Sequence, residues 1–298
     1  MIRGLYTAAA GMIANQRKHD AVTGNIANLN TPGYKAQQAV IRSFPEMLIR
    51  LMNEGPTGQS RQIGAINTGV FVEELLPMFT QGDLQETGSF YDLALESRIR
   101  VFEEVDGEQV EIVFDASGLG TNQAGETVYR PQAFFTVLNN ENEFRYTRNG
   151  KLYVGADGVL RTTDHMRVAG TDGQPIVLDR SMEQVRVAPN GALLDLNGEP
   201  LPGEPQLLIA RIDNPFLLMR EGNGVFRLEA QEDADAVPAQ ANPGDFAVHQ
   251  GFVERSNVDP AQSMVDLMTA LRSYEANQRM IQYLDRVLEK AVNDIGRV

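Results

Sequence analysis

Two apolar stripes at heptad spacing, one at each end of the chain, constrain the fold most. Residues 1 to 29 place Leu5, Ala8, Met12, Asn15, His19, Val22, Ile26 and Leu29 on one face. That period predicts an amphipathic helix of roughly 28 residues, about 42 Å long. Beyond Asp259 the spacing returns in Met264, Leu267, Leu271, Tyr274, Gln278, Ile281, Asp285, Leu288, Val292 and Ile295, which predicts a second helix of about 36 residues. Asp259 suits its N-cap, Pro260 its first position, and Gln262 the reciprocal place in a capping box. Glu275 and Arg279 add an i, i+4 pair. A single helix cannot bury its own stripe, so each must pack on something. Two arrangements satisfy the pattern. One is a helical hairpin closing a domain; the other packs the pair against copies of itself, with Asn15, His19, Gln278 and Asp285 setting register.

The first helix ends in "NIANLNTPGYK", Asn25 to Lys35. Pro32 disfavours helical geometry at Thr31, and Pro32-Gly33 suits the centre of a type II turn, so the helix is expected to stop near Leu29 or Asn30. Asn28 and Asn30 can satisfy backbone groups exposed there. Stopping a helix needs only the proline and glycine. Asn25, Asn28, Tyr34 and Lys35 specify something more.

Between the helices the period changes. Asp106-Gly107, Asn149-Gly150, Asp157-Gly158, Asp172-Gly173, Asn190-Gly191, Asn197-Gly198 and Asn223-Gly224 read as tight hairpin turns. They separate β-branched or apolar runs such as "FFTVL" and "QLLIARI". Residues 70–255 are therefore expected to be antiparallel β, and the chain α+β. Residues 35–69 read as a short helix, within "FPEMLIRLMNEG", followed by a linker.

Chemistry is hard to place on this chain. It has no cysteine, hence no disulfide, thiolate ligand or cysteine nucleophile. His19, His165 and His249 are far apart in sequence and do not form a metal-ligand pattern. The glycine-rich "GLGTNQAG" lacks the Lys and Ser/Thr of a phosphate loop. No hydrolase, zinc-protease or dinucleotide motif is present. The net charge of −14 opposes nucleic acid as a partner. It is unevenly spread. Residues 1–50 hold six bases against two acids and residues 260–298 five of each, so the acidic surplus lies in the centre and the ends do a different job. No apolar run reaches membrane-spanning length, and the opening residues read as mature structure, with no signal peptide. No catalytic residue, cofactor or metal is expected, and an interaction protein is the default.

Four separated stretches resemble one family. "NIANLNTPGYK" is similar to the end of the N-terminal helix in bacterial flagellar rod and hook proteins, the axial proteins of the basal body. "QGDLQETGSFYDLAL" (81–95) resembles the entry to their β domain, "YTRNGKLYVGADGVL" (146–160) a hairpin inside it, and "GFVERSNVDPAQSMVDLMTALRSYEANQRMIQYLDRVLEKAVN" (251–293) their C-terminal segment. The likeness is nearest to the distal-rod type and the rod-like hook-basal body proteins of Gram-positive flagella.

This resemblance implies that residues 1–34 and 256–298 pair as a coiled coil in an axial core, outside which lies the β domain. It implies a structural subunit that polymerises helically with itself and other rod and hook proteins, and leaves the cytoplasm through the flagellar type III export apparatus. No membrane insertion and no nucleic acid are implied. Assembly residues carried over this way are Leu5, Met12, Asn25, Ile26, Asn28, Asn30 and the turn Thr31, Pro32, Gly33 and Tyr34 in the first segment. In the last they are Ser256, Asn257, Met264, Leu267, Leu271, Tyr274, Asn277, Gln278, Ile281 and Leu288. Asn25, Asn28, Tyr34 and Lys35 then read as a corner touching a neighbouring subunit. Two features depart from the family pattern. Residues 96–133 separate Leu95 from Phe134 where the family has only a few residues, an expected inserted hairpin or small subdomain. Gly24 also stands where the family has a second asparagine. Alternatives are a hook or rod–hook junction protein, or a rod protein whose insertion binds or remodels the cell wall.

Overall fold

The computed structural model describes residues 2–51, 61–105, 108–115, 118–228 and 239–295. Helix α1 spans Ile2–Ala27 and helix α2 spans Pro260–Ile295. Nearly all described strand pairings are antiparallel, so the chain is α+β. It divides into two compact units. A helical unit comprises Met1–Ala27, Gln37–Leu76 and Asp259–Val298; a β unit comprises Asn28–Ala36 and Pro77–Val258.

In the helical unit α1 and α2 run antiparallel, and their contact line is built from small residues. A Cβ on Gly4 would come 3.4 Å from Leu284 Cδ1, and one on Gly11 3.0 Å from Asn277 Nδ2. Further along, Lys18 Nζ stands 4.0 Å from Asp266. Ala8, Ala14, Ala21 and Val22 of α1, with Ser263 and Ala270 of α2, are buried. The heptad stripe read from α2 lies partly off this line. Met264 and Leu271 are 57% and 42% exposed, and Gln278 is exposed, whereas Leu267, Tyr274, Ile281 and Leu288 are half-buried. Glycine and alanine carry almost no hydropathy signal, yet they let two helices approach closely, so the packing centre falls one position from the bulky stripe.

Asp259 caps α2 as expected, its carboxylate accepting from Ala261 N (2.8 Å) and Gln262 N (3.1 Å). Gln262 does not complete a capping box; its amide turns to Asp266. Glu275 and Arg279 form the i, i+4 pair at 3.7 Å.

The expected short helix within 35–69 is a strand. Met47–Leu51 pairs with Arg61–Ile66, and Gln37–Ser43 with Val70–Pro77; residues 52–60 lie outside the described residues. "MLIRL" follows Pro45 and is too short to hold a helix alone. Its cross-strand partner, invisible to local propensity, decides its state.

The β unit is organised on an eight-stranded sheet centred on Gln132–Leu138. That strand is buried throughout and pairs with Phe144–Thr147, Arg167–Val168 and Ile209–Ile212. Its main core includes Leu93, Leu95, Phe135, Val137, Leu160, Leu207, Ile209 and Val248. A smaller core holds Phe79, Phe134, Tyr146 and Phe226, with Phe79 edge-on to Phe134 at 5.6 Å. Two short ladders bring the ends of the unit together: Leu84–Glu86 with Phe252–Glu254, and Leu93–Ser97 with Phe246–Gln250. Within 96–133, Phe102–Val105 pairs with Glu108–Glu111 and Leu119–Thr121 with Thr127–Tyr129.

The Asx-Gly dipeptides behave less uniformly than expected. Asn223-Gly224 has both residues at positive φ, 47° and 75°, as a type I′ hairpin demands. At Asp157, Asp172, Asn190 and Asn197 only the following glycine does. Asp106-Gly107 lies outside the described residues. Asn149-Gly150 is not a hairpin turn: a Cβ on Gly150 would lie 1.7 Å from Leu93 O, so this glycine serves a backbone crossing.

Candidate functional site

α1 ends at Ala27, slightly before the expected stop. The chain then turns twice, Thr31 N donating to Asn28 O at 3.2 Å and Tyr34 N to Thr31 O at 3.3 Å. The second turn is centred on Pro32-Gly33, with Gly33 at φ 68° as the type II reading requires. Gly33 also meets another backbone: a Cβ there would stand 2.5 Å from the Arg148 carbonyl carbon. Its N–H donates to Glu254 O at 2.8 Å. Within the helical unit, Asn25 binds Gln37 on both backbone groups, each at 2.8 Å. This amide imitates a strand neighbour for Gln37, on the far side of the turn-bearing segment.

The turn delivers Lys35 into the β unit. Its Nζ lies 2.6 Å from Glu254 Oε1 and donates to Thr80 O at 2.8 Å. Gly82 N donates to the same carboxylate oxygen at 2.9 Å. Arg148 Nε stands 3.3 Å from Glu254 Oε2, while its two Nη atoms donate to Ala133 O (2.8 Å) and Gln81 Oε1 (2.7 Å). All three charged side chains are essentially inaccessible to solvent. Asn257 completes the surround, accepting from Ala36 N at 2.7 Å and donating to Met78 O at 2.7 Å.

Two buried cations thus share one buried carboxylate, and the electrostatics follow. Burial pulls the Lys35 ammonium down to about 8, outweighing the opposing pull of Glu254. Burial works to raise Glu254, but Arg148 and then Lys35 overcome it and hold the carboxyl below its ordinary value. The sign for stability is definite. A depressed carboxylate stabilises the fold above its unfolded pKa, about 4.3, and that contribution is lost as pH falls through the folded value. A depressed lysine gives a slope of the same sign, at higher pH. The folded state holds fewer protons than the unfolded one between about 8 and about 10.4, so stability rises with pH across that window. Unfolding curves taken at intervals from pH 7 to 10.5 should show this rise in the parent chain and its loss in Lys35→Met; equal slopes would remove Lys35 from the account.

The residues expected to touch a neighbour are distributed unevenly. Asn25, Gly33 and Tyr34 are buried, with the Tyr34 ring under Arg220 at 4.5 Å. Asn28, Thr31, Pro32, Ser256 and Asn257 are half-buried and Asn30 is exposed. Asn30, Pro32 and Ser256 meet round one cleft of about 330 Å³, which Lys151 and Arg255 also line. On the helices, Leu5, Met12, Ile26 and Asn277 are half-buried, and Asn277 faces Gly11. Sequence reasoning did not single out Arg148 or Glu254. The available signal was a full charge set among apolar strand residues inside "YTRNG" and "GFVERSN".

Among the described residues no cluster of three or more His, Asp or Glu could hold a metal ion, and no helix is long and apolar enough to cross a membrane.

Comparison with known proteins gives the cluster a context. Residues 5–35 match the family described as flagella basal body rod protein, residues 131–194 the flagellar hook protein FlgE/F/G D1 domain, and residues 249–294 the flagellar basal body rod FlgEFG protein C-terminal. Each matched stretch supplies one member of the buried cluster: Lys35, Arg148 and Glu254. Over its whole length the chain is 34% identical, across 301 residues and all of both chains, to the flagellar hook-basal body complex protein FlhO of Bacillus subtilis. It is 26% identical to the flagellar basal-body rod protein FlgG of Borreliella burgdorferi, covering 98% of each chain. It is also 26% identical to the flagellar hook-basal body complex protein FlhP of Bacillus subtilis, covering 97% of each.

Proposed function

The chain belongs to the family of bacterial flagellar basal-body rod and hook proteins, and from that premise we propose that it is a distal-rod subunit whose terminal helices pair as a coiled coil. Family membership makes it a structural component of the basal body and not an enzyme. In the proposed rod the paired helices form the inner layer, stacked head to tail with further copies and with other axial proteins. A heterologous contact whose rotation does not close produces an open helical filament. Export follows the flagellar type III route without cleavage of a signal peptide, and residues 96–133 are an insertion into the β domain.

The observation that carries this reading is the outer face of α2. Met264, Val265, Met268, Leu271, Met280 and Tyr283 are all between 42% and 65% exposed. On α1, Tyr6 and Ile13 are 68% and 55% exposed. Apolar side chains this numerous on two adjacent helices mark an interaction surface. They favour the second of the two arrangements open to the stripes: a close intramolecular line of small residues, with the bulky residues left for neighbouring copies. Met264, Leu271, Gln278 and Asn30 are then the assembly residues that face outward. Leu5, Met12, Ile26, Leu267, Tyr274, Asn277, Ile281 and Leu288 hold the pair. Asn25, Gly33, Tyr34 and Asn257 shape the corner from within.

Chains lacking residues 1–30 or 260–298 should be absent from isolated basal bodies, while the β unit of the second truncation retains cooperative melting. Normal rods containing either truncated chain would overturn the proposal.

A further inference from the structure

Residues 96–133 contain eight acids and three bases. All three bases, Arg98, Arg100 and Arg130, line one cavity of about 600 Å³. That volume lies within the range of ligand clefts. Its remaining wall is largely apolar, including Ile99, Ile112 and Val113, and Val113 is 85% exposed. Two of the arginines are matched from within the segment. Arg98 Nη2 lies 2.7 Å from Glu96, and Arg100 Nε lies 3.9 Å from Glu111. Arg130 is exposed and has no ion-pair partner among the described residues. Glu96 and Glu111 line the same cavity, so in a chain of net charge −14 Arg130 is the concavity's uncompensated positive charge, set beside an apolar wall.

The same segment carries the complement. The paired strands Phe102–Val105 and Glu108–Glu111 carry three acids besides Glu111 and no base, and they leave Phe102 and Val110 50% and 44% exposed, on opposite faces. Phe102 and Glu104 alternate onto one face of their strand, an apolar ring beside a carboxylate. We infer that the arginine-lined cavity of one copy receives the acidic hairpin of the next, a head-to-tail contact between outer segments. It rests on the rod reading, since a heterologous contact of this kind repeats from copy to copy. Carboxylates meet guanidiniums, and Phe102, on the same face as Glu104, meets the apolar wall. Charge complementarity of this sort sets which partner is accepted and in which register.

The absence of native cysteine allows a direct test. Cells whose own copy has been removed express two full-length variants together, one Glu104→Cys and the other Val113→Cys, and isolated basal bodies are treated with a short thiol-specific crosslinker. A crosslinked dimer is expected only when both variants are present. Adding Arg130→Glu to the Val113→Cys chain should lower its yield about tenfold, since like charges then face each other. Combining Glu104→Arg and Arg130→Glu on every copy, with thiols at Phe102 and Val113, should restore it. Variants that melt like the parent and enter basal bodies yet give no dimer would overturn the contact, as would a dimer indifferent to Arg130→Glu. A parent chain absent from basal bodies would overturn the rod reading beneath it.

Discussion

Replacing Glu254 with glutamine is expected to destabilise the β unit by about 3–5 kcal/mol, which lowers its thermal midpoint by about 10 °C. The substitution preserves shape and removes charge, so the loss comes from electrostatics. Lys35 and Arg148 stay buried without an anion, and Glu254 Oε1 no longer offers a charged acceptor to Lys35 Nζ and Gly82 N. Breaking a buried pair from one side costs far more than the pair contributes relative to an apolar replacement. Lys35→Met combined with Glu254→Gln should therefore be less destabilising than the two single changes added together, with a coupling of about 1 kcal/mol or more. Calorimetry of the four chains measures this. A midpoint for Glu254→Gln close to the parent's, or strict additivity in the cycle, would show that the cluster does not hold the unit.

The cluster also explains what in this protein was readable from sequence and what was not. Period and capping are local properties, and both helices, the Asp259 cap and the Thr31–Tyr34 turn follow from them. The antiparallel character of the centre was legible from its turns and short apolar runs. Met47–Leu51 was misread because its state depends on Arg61–Ile66, a partner that local propensity cannot supply. The helix contact was displaced from the apolar stripe because Gly4, Gly11 and Ala270 carry packing information without hydropathy. Lys35 and Glu254 are 219 positions apart, and no periodicity connects them. Their motifs were visible separately; that they close on one carboxylate required the fold. The role expected for the corner changes accordingly. Tyr34 and Lys35 are interior, so their replacement acts first on the β unit, whereas Asn30, Pro32 and Ser256 line the neighbouring cleft.

Among the described glycines, Gly150→Ala should be the most disruptive addition of a single methyl, exceeding about 4 kcal/mol, a size reserved for severe steric or buried-charge defects. The added carbon would lie 1.7 Å from Leu93 O and 2.7 Å from Leu93 C. Both atoms are backbone, so no rotamer change relieves the overlap. Leu93 N also donates to Gly150 O at 2.9 Å, and Leu93, Ala94 and Leu95 are wholly buried. Moving the strand Leu93–Ser97 away from Gly150 therefore breaks that bond, opens the main core and disturbs the pairing with Phe246–Gln250. Gly198→Ala is the informative control. Gly198 has φ 87° but nothing within 4 Å of a Cβ, so alanine there meets only the left-handed backbone penalty of about 1–2 kcal/mol. Thermal melts and amide exchange of the two variants separate close approach from conformational preference. The Gly150 variant should lose protection throughout the Leu93–Ser97 and Phe246–Gln250 ladder, and the Gly198 variant should keep it. Equal effects from the two substitutions would mean that the backbone crossing at Gly150 is not what secures that strand.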